Sequence, residues 1–178
     1  MQGIWRNITL LLIEPEPYVL MGTSATPHLV AGSGPGGIVG DDGSDTWNIS
    51  VSVRVYEQQP RVNASITVEL LETGQQWNFT SVPDGNGFMR VELPGVTGVQ
   101  AWWPNGYGAQ ALYTLRTTLF GPPLAGVPQT QIVNTSFGFR TVELVQDPLP
   151  GGTSFEFHVN GVRDPVLPLP LRLLGLTP

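Results

Sequence analysis

Trp47-Asn48-Ile49-Ser50-Val51-Ser52-Val53-Arg54-Val55 decides the fold. Apolar and polar residues alternate through all of it. A strand repeats every two residues, so Trp47, Ile49, Val51, Val53 and Val55 share one face and Asn48, Ser50, Ser52 and Arg54 the other. The same period returns downstream. Val62, Ala64, Ile66, Val68 and Leu70 oppose Asn63, Ser65, Thr67 and Glu69, and Trp77 and Phe79 alternate with Asn78 and Thr80. Met89, Val91 and Leu93 alternate with Arg90 and Glu92. Tyr113, Leu115, Thr117 and Leu119 oppose Thr114, Arg116 and Thr118, and Val133, Thr135, Phe137 and Phe139 oppose Asn134 and Ser136. Last come Phe155, Phe157 and Val159 against Glu156 and His158. A strand that buries one face and wets the other suits an antiparallel sheet, and two such sheets face to face make a sandwich. About seven strands over ~100 residues predict an all-β chain: an immunoglobulin-like antiparallel β-sandwich with partial flanking segments.

The stretches between the strands carry turn chemistry. Pro83-Asp84-Gly85-Asn86-Gly87 predicts a hairpin turn, and Gly121-Pro122-Pro123 predicts the opening of a longer hairpin loop that ends near Gln129. Residues 31–46, Gly-rich and acidic, are expected to form a flexible loop. From Arg163 onward prolines interrupt every period, so a poorly packed tail is expected over 163–178. No apolar stripe of helical spacing survives the 22 Gly and 17 Pro.

Composition narrows the function classes. The net charge is −6, and all eight basic residues are Arg. An acidic chain repels phosphate backbones and offers no basic patch to an anionic membrane, so neither nucleic acid nor membrane is an expected partner. Cysteine is absent, which removes disulfides, thiol catalysis and Cys-based zinc sites. The only histidines, His28 and His158, lie far apart in sequence. Neither a metal nor another cofactor is expected. The start Met1-Gln2-Gly3-Ile4-Trp5 lacks the charged and apolar regions of a signal peptide.

Five Asn-x-Ser/Thr sequons, at Asn7, Asn48, Asn63, Asn78 and Asn134, point the other way. Chance predicts roughly one at this composition. From Asn48 onward each falls on the polar side of its predicted strand, where a glycan has room. The bland alternative is that strand-rich chains simply place Ser and Thr near Asn. A secreted, vacuolar or lysosomal parent protein is the expectation, with Met1 not the natural start of its domain series.

The densest feature is Trp102-Trp103-Pro104-Asn105-Gly106-Tyr107-Gly108. Adjacent residues of a strand point to opposite faces, so one Trp can enter the core while the other faces outward or packs on a neighbour. Trp102, Trp103, Asn105 and Tyr107 are the candidates for an interdomain anchor or, alternatively, for stacking on a sugar ring. No catalytic residue is assigned. Glu69, Glu92, Glu143 and Glu156 sit on polar strand faces, and Asp41, Asp42 and Asp45 lie in the loop expected to be flexible. A retaining glycosidase needs two carboxyls ~5–5.5 Å apart on a rigid frame.

Three stretches in order carry a family resemblance. Gly3-Ile4-Trp5-Arg6-Asn7-Ile8 is similar to the end of the N-terminal sugar-binding domain of β-mannosidases of glycoside hydrolase family 2. Trp102 to Gly108, with Gln110 and Leu112-Tyr113, resembles a loop of that family's immunoglobulin-like second domain. Phe137-Gly138-Phe139-Arg140-Thr141-Val142-Glu143-Leu144, then Phe155-Glu156-Phe157-His158-Val159-Asn160-Gly161, resembles the passage into its catalytic barrel. The resemblance covers roughly residues 3–162. It implies a retaining exo-hydrolase that removes terminal non-reducing β-D-mannose with two barrel glutamates. In animals such an enzyme is lysosomal and finishes N-glycan breakdown.

The resemblance also implies a division of the chain. Residues 1–16 are the C-terminal strand of the sugar-binding domain, 17–147 the sandwich, 148–162 the first strand of a truncated barrel domain, and 163–178 an aberrant tail. Both catalytic glutamates would lie beyond residue 162. The 31–46 loop is longer than the family's. The leading expectation is an accessory sandwich, inactive alone, whose partners are the neighbouring domains of the parent enzyme and, beyond those, mannosides or N-glycan fragments. The alternatives are a free-standing carbohydrate-binding module, the sandwich of a sister β-glucosaminidase or β-galactosidase, and an adhesion-type sandwich.

Overall fold

A computed structural model of the chain describes residues 18–34, 38–40, 42–57, 63–124, 127–150 and 152–163. Seven strands build the sandwich: β1 (Tyr18–Ala31), β2 (Thr46–Glu57), β3 (Ala64–Leu70), β4 (Gln75–Ser81), β5 (Phe88–Val96), β6 (Tyr113–Leu124) and β7 (Val127–Phe137). They form two antiparallel sheets, ordered β1-β2-β5 and β4-β3-β6-β7. Behind them β8 (Val142–Val145), β11 (Glu156–Val159) and β12 (Val162–Arg163) make a small sheet of order β12-β11-β8, while β9 (Pro148–Leu149) pairs with β10 (Gly152–Thr153).

The period of two does what it predicts. Trp47, Ile49, Val51, Val53 and Val55 of β2, with Met89 and Leu93 of β5, face Ala64, Ile66, Val68 and Leu70 of β3 and Leu115 and Leu119 of β6, all buried. Trp77, Phe79, Val91, Tyr113, Val133 and Phe137 pack partly buried around them. Phe139 closes one end, its ring centroid 5.5 Å from that of Trp47 and 5.1 Å from those of Tyr113 and Phe137. Such tilted and edge-on contacts suit the quadrupoles of aromatic rings.

Several expectations need correction. First, β1 is a strand that the sequence reading missed. Its inward side is Thr23, Ala25, Pro27 and Leu29, too weakly apolar to stand out, and Pro27 argues against a strand. It is an edge strand, paired among the described residues with β2 alone, and an edge is where a sheet tolerates proline. Side chains tie β1 to β7 instead: the Leu20 N–H donates to Gln131 Oε1 at 2.8 Å, and the Thr135 hydroxyl donates to the Thr23 carbonyl at 3.0 Å.

Second, the 83–87 turn is not a hairpin. It carries the chain from β4 in one sheet to β5 in the other. The turn is local, with Gly87 N–H on the Asp84 carbonyl at 2.9 Å, and the Asp84 carboxylate accepts the N–H groups of Asn86 and Phe88 at 2.9 Å each. Turn chemistry marks a reversal but not which sheet receives the next strand.

Third, the described part of the 31–46 segment is tied down. Val39 enters the core, and the fully buried Asp45 carboxylate accepts the Ser33 N–H at 2.7 Å and the Gly40 N–H at 3.1 Å. Asp42 accepts both Ser33 and Ser44 hydroxyls at 2.7 Å, and these bonds hold its carboxyl down to about 2. Gly and Asp are the residues of a compact loop as much as of a flexible one; burial separates the two.

Fourth, β6 continues to Leu124 and β7 resumes at Val127, with Leu124 paired to Val127, so this hairpin is shorter than expected. Arg163, assigned to the tail, belongs to β12 opposite His158. The expectations for 1–16, including Asn7, and for 164–178 lie outside the described residues.

Candidate functional site

The segment 97–112 crosses one end of the sandwich from β5 to β6. Alternation continues into it without regular strand structure: Val99, Ala101 and Trp103 are buried, while Gln100 is exposed and Trp102 half-buried. Ala101 and Trp102 form isolated bridges with Phe139 and Gln110, and the Trp102 N–H donates to the Phe139 carbonyl at 2.8 Å. Trp103 N–H closes the loop on the Ala109 carbonyl at 2.8 Å, and Tyr107 N–H turns it on Pro104 at 3.0 Å.

Both indoles lean on glycine. A Cβ at Gly108 would sit 2.8 Å from the Trp103 ring, and one at Gly138 would sit 2.8 Å from Trp102 Cβ, so neither position has room for a side chain. Trp103 thus belongs to the core. Trp102 turns outward, where the Arg140 guanidinium lies 4.6 Å over its ring, a cation–π contact. Asn105 and Tyr107 are exposed at the tip. Of the four candidates, the loop therefore presents Asn105, Tyr107 and part of Trp102.

Two residues that sequence reasoning did not single out hold this loop. Gln100 N–H donates to the Tyr113 hydroxyl at 2.7 Å, a tyrosine at the start of β6 reaching back over the crossover as in the tyrosine corner of immunoglobulin-like domains. Asn160 is fully buried with φ at 55°, and joins two regions. Its Oδ1 accepts the Thr141 N–H, and its Nδ2 donates to the Trp102 carbonyl, each at 2.9 Å. Its own N–H donates to the Thr141 carbonyl at 3.0 Å. A positive φ favours Gly or Asn, and the Asn-Gly pair at 160–161 was the signal that could have marked this turn.

Asn160 thereby clamps the small β12-β11-β8 sheet to the Trp loop. One face of that sheet carries Leu144 opposite Phe157 and Val142 and Val162 opposite Val159. Val142 is 58% and Leu144 43% exposed. Val159, Val162 and Arg163 line a shallow depression with Trp103, Pro104 and Tyr107. The other face is charged: Glu156 meets Arg163 at 2.8 Å and lies 3.8 Å from His158, which stands opposite Glu143.

Register brings acids near other groups elsewhere. Glu69 lies 3.6 Å from Arg116. Ser50 donates its hydroxyl proton to Glu92 at 2.5 Å and lies 2.8 Å from His28 Nε2. A nucleophilic serine must instead give its proton to the imidazole, so this string does not prepare an attack. Asn63, Asn78 and Asn134 are exposed and Asn48 is half-buried. The carbonyl oxygens of Asn48 and Asn78 are engaged, by the Gly95 N–H at 3.1 Å and the Thr67 hydroxyl at 2.7 Å.

No family model matches the chain. The relatives found by sequence are β-mannosidases, as the motifs lead one to expect. The β-mannosidase of Rattus norvegicus is 30% identical over 168 residues, which is 90% of this chain and 17% of that protein. Beta-mannosidase B of Emericella nidulans is 31% identical over 131 residues, 67% of this chain and 15% of that protein. Among solved structures, the β-D-mannosidase of Dictyoglomus thermophilum superposes with a TM-score of 0.53 at 23% identity, over 83% of this chain and 16% of that one. That likeness concerns the fold. The chain spans about a sixth of the length of the curated relatives it matches.

Proposed function

We propose that this chain, which its sequence allies with the β-mannosidases, is the sandwich of a retaining exo-glycosidase of glycoside hydrolase family 2 that removes terminal β-D-mannose, and that it is inactive by itself. The sandwich acts as a spacer. Its Trp loop and the apolar face of the β12-β11-β8 sheet are the contact surfaces for neighbouring domains, and the bond-breaking carboxylates belong to a barrel domain beyond this segment. One observation carries the reading: the likeness to a β-mannosidase runs over 168 residues, more than the sandwich alone needs. Exposed Val142 and Leu144 beside the loop support a covered face.

The test is turnover of a chromogenic β-mannoside by the purified chain, with calorimetry against mannose and manno-oligosaccharides. Neither product nor heat is expected. Turnover overturns the inactive reading, whereas heat without turnover favours a carbohydrate-binding module. The parent enzyme is lysosomal, vacuolar or secreted in this reading, with glycans on the outward Asn48, Asn63, Asn78 and Asn134 and on Asn7. A glycan is attached through Nδ2, so the hydrogen bonds to the carbonyl oxygens of Asn48 and Asn78 leave the attachment atom available.

A further inference from the structure

We propose that Asn105 is a site of spontaneous deamidation, singled out by the fold from three Asn-Gly pairs. The pairs are Asn86-Gly87, Asn105-Gly106 and Asn160-Gly161. Glycine has no Cβ to hinder ring closure, so its backbone nitrogen can attack Cγ of the preceding asparagine. A Cγ–N bond forms, the Cγ–Nδ2 bond breaks, and ammonia leaves with the proton of the glycine amide. Water then opens the five-membered imide at either carbonyl and leaves aspartate or isoaspartate. The reaction needs a free asparagine side chain, a glycine N–H not held as a donor, and water.

Asn160 fails on the first and last counts. Both of its side-chain polar atoms are hydrogen-bonded at 2.9 Å and it is fully buried. Asn86 fails on the second: the Gly87 N–H donates to the Asp84 carbonyl at 2.9 Å, and the Gly87 carbonyl accepts the Val55 N–H at 2.8 Å. Gly87 is also pressed against the Val55 carbonyl, which a Cβ would approach to 2.5 Å. Ring closure there would pull apart the turn that joins the two sheets. Asn105 meets all three conditions. It is exposed, no described residue holds its side chain or the Gly106 N–H, and open space surrounds Gly106. The product adds a negative charge beside Tyr107, and the inference concerns the loop while no neighbouring domain covers it.

The arginines make the test direct. Trypsin places Asn105 alone in 91–116, Asn160 alone in 141–163 and Asn86 in 62–90. On incubating the intact chain at about pH 8 and ~37 °C, the 91–116 peptide should gain about 1 Da and split into aspartyl and isoaspartyl forms. Its rate should exceed that of the other two peptides by at least about tenfold, because those must first open locally. In concentrated urea the three rates should converge, and Asn105→Gln should abolish the change in 91–116. Equal or faster change in either other peptide of the native chain overturns the proposal. So does an unchanged 91–116 peptide under conditions where urea allows all three to react.

Discussion

Strands β2 and β11 look alike in sequence and differ in the fold. In β2 every inward side chain from Trp47 to Val55 is 3% exposed or less, because a second sheet lies across it. In β11 the alternation of Phe157 and Val159 with Glu156 and His158 also holds, yet all four are half-buried. Their apolar face continues into Val142 and Leu144, which are open to solvent among the described residues. Period two therefore specifies a strand, whereas a core needs a second apolar face to meet the first. The sandwich is held by burial. The small sheet is held by its strand pairing, and the Asn160 side chain fastens it to the Trp loop.

The largest effect should come from testing burial on each side. Ile66→Ala, at the centre of β3, should lower unfolding free energy by about 2–5 kcal/mol in urea titration. Phe157→Ala should cost less than about 1.5 kcal/mol, since its ring is only partly removed from water. Equal losses would erase the distinction and mean that β11 belongs to the same core.

Asn160→Gly attacks the other kind of support. Glycine keeps the left-handed backbone at φ 55° and removes only the two side-chain bonds. Amide exchange at Thr141, whose N–H would lose its acceptor, should show an opening free energy lower by about 1–3 kcal/mol. Exchange in β2 and β3 should stay as it was. Loss of protection throughout would show that the clasp supports the whole sandwich.

How much was legible follows the same line. β2, β3, β4, β5, β6, β7 and β11 could be read because apolar and polar residues alternate along each, whether the apolar side is fully buried as in β2 and β3 or only partly so as in β7 and β11. β1 could not, since an edge strand tolerates Pro27 and buries little. The crossover at 83–87 was hidden because turn residues specify local backbone and not the destination of the chain. Within the site, Trp102 and Trp103 stood out by their bulk. Tyr113 and Asn160 did not, because their roles are hydrogen bonds to residues 13 and 58 positions away. Register alone brings such partners together.

Tyr113→Phe measures one of these hidden contacts. It removes the hydroxyl that accepts the Gln100 N–H and leaves the ring against Phe139. A loss of about 1 kcal/mol in the sandwich transition is expected. A neutral substitution would mean that water replaces the hydroxyl and that Asn160, Trp102 and Trp103 suffice to hold the loop.

The smallest effect should be the pH dependence carried by Asp84. The Phe88 N–H, the Arg90 side chain and the Asn86 N–H all favour its charged form and lower its pKa. A depressed folded pKa means that the unfolded chain takes up the proton first. The carboxylate therefore stabilises the fold above its unfolded pKa of about 3.9 and ceases to do so as pH falls toward the folded value. Asp84→Asn should melt lower than the parent at neutral pH, and the gap should narrow on acidification below about pH 4. Because Asp84 sits in the turn between β4 and β5, the narrowing should be read in the sandwich melt, while the protection of the Thr141 amide at each pH should be the same in Asp84→Asn as in the parent. A gap that persists unchanged to low pH would assign Asp84's role to the shape of its side chain rather than to its charge.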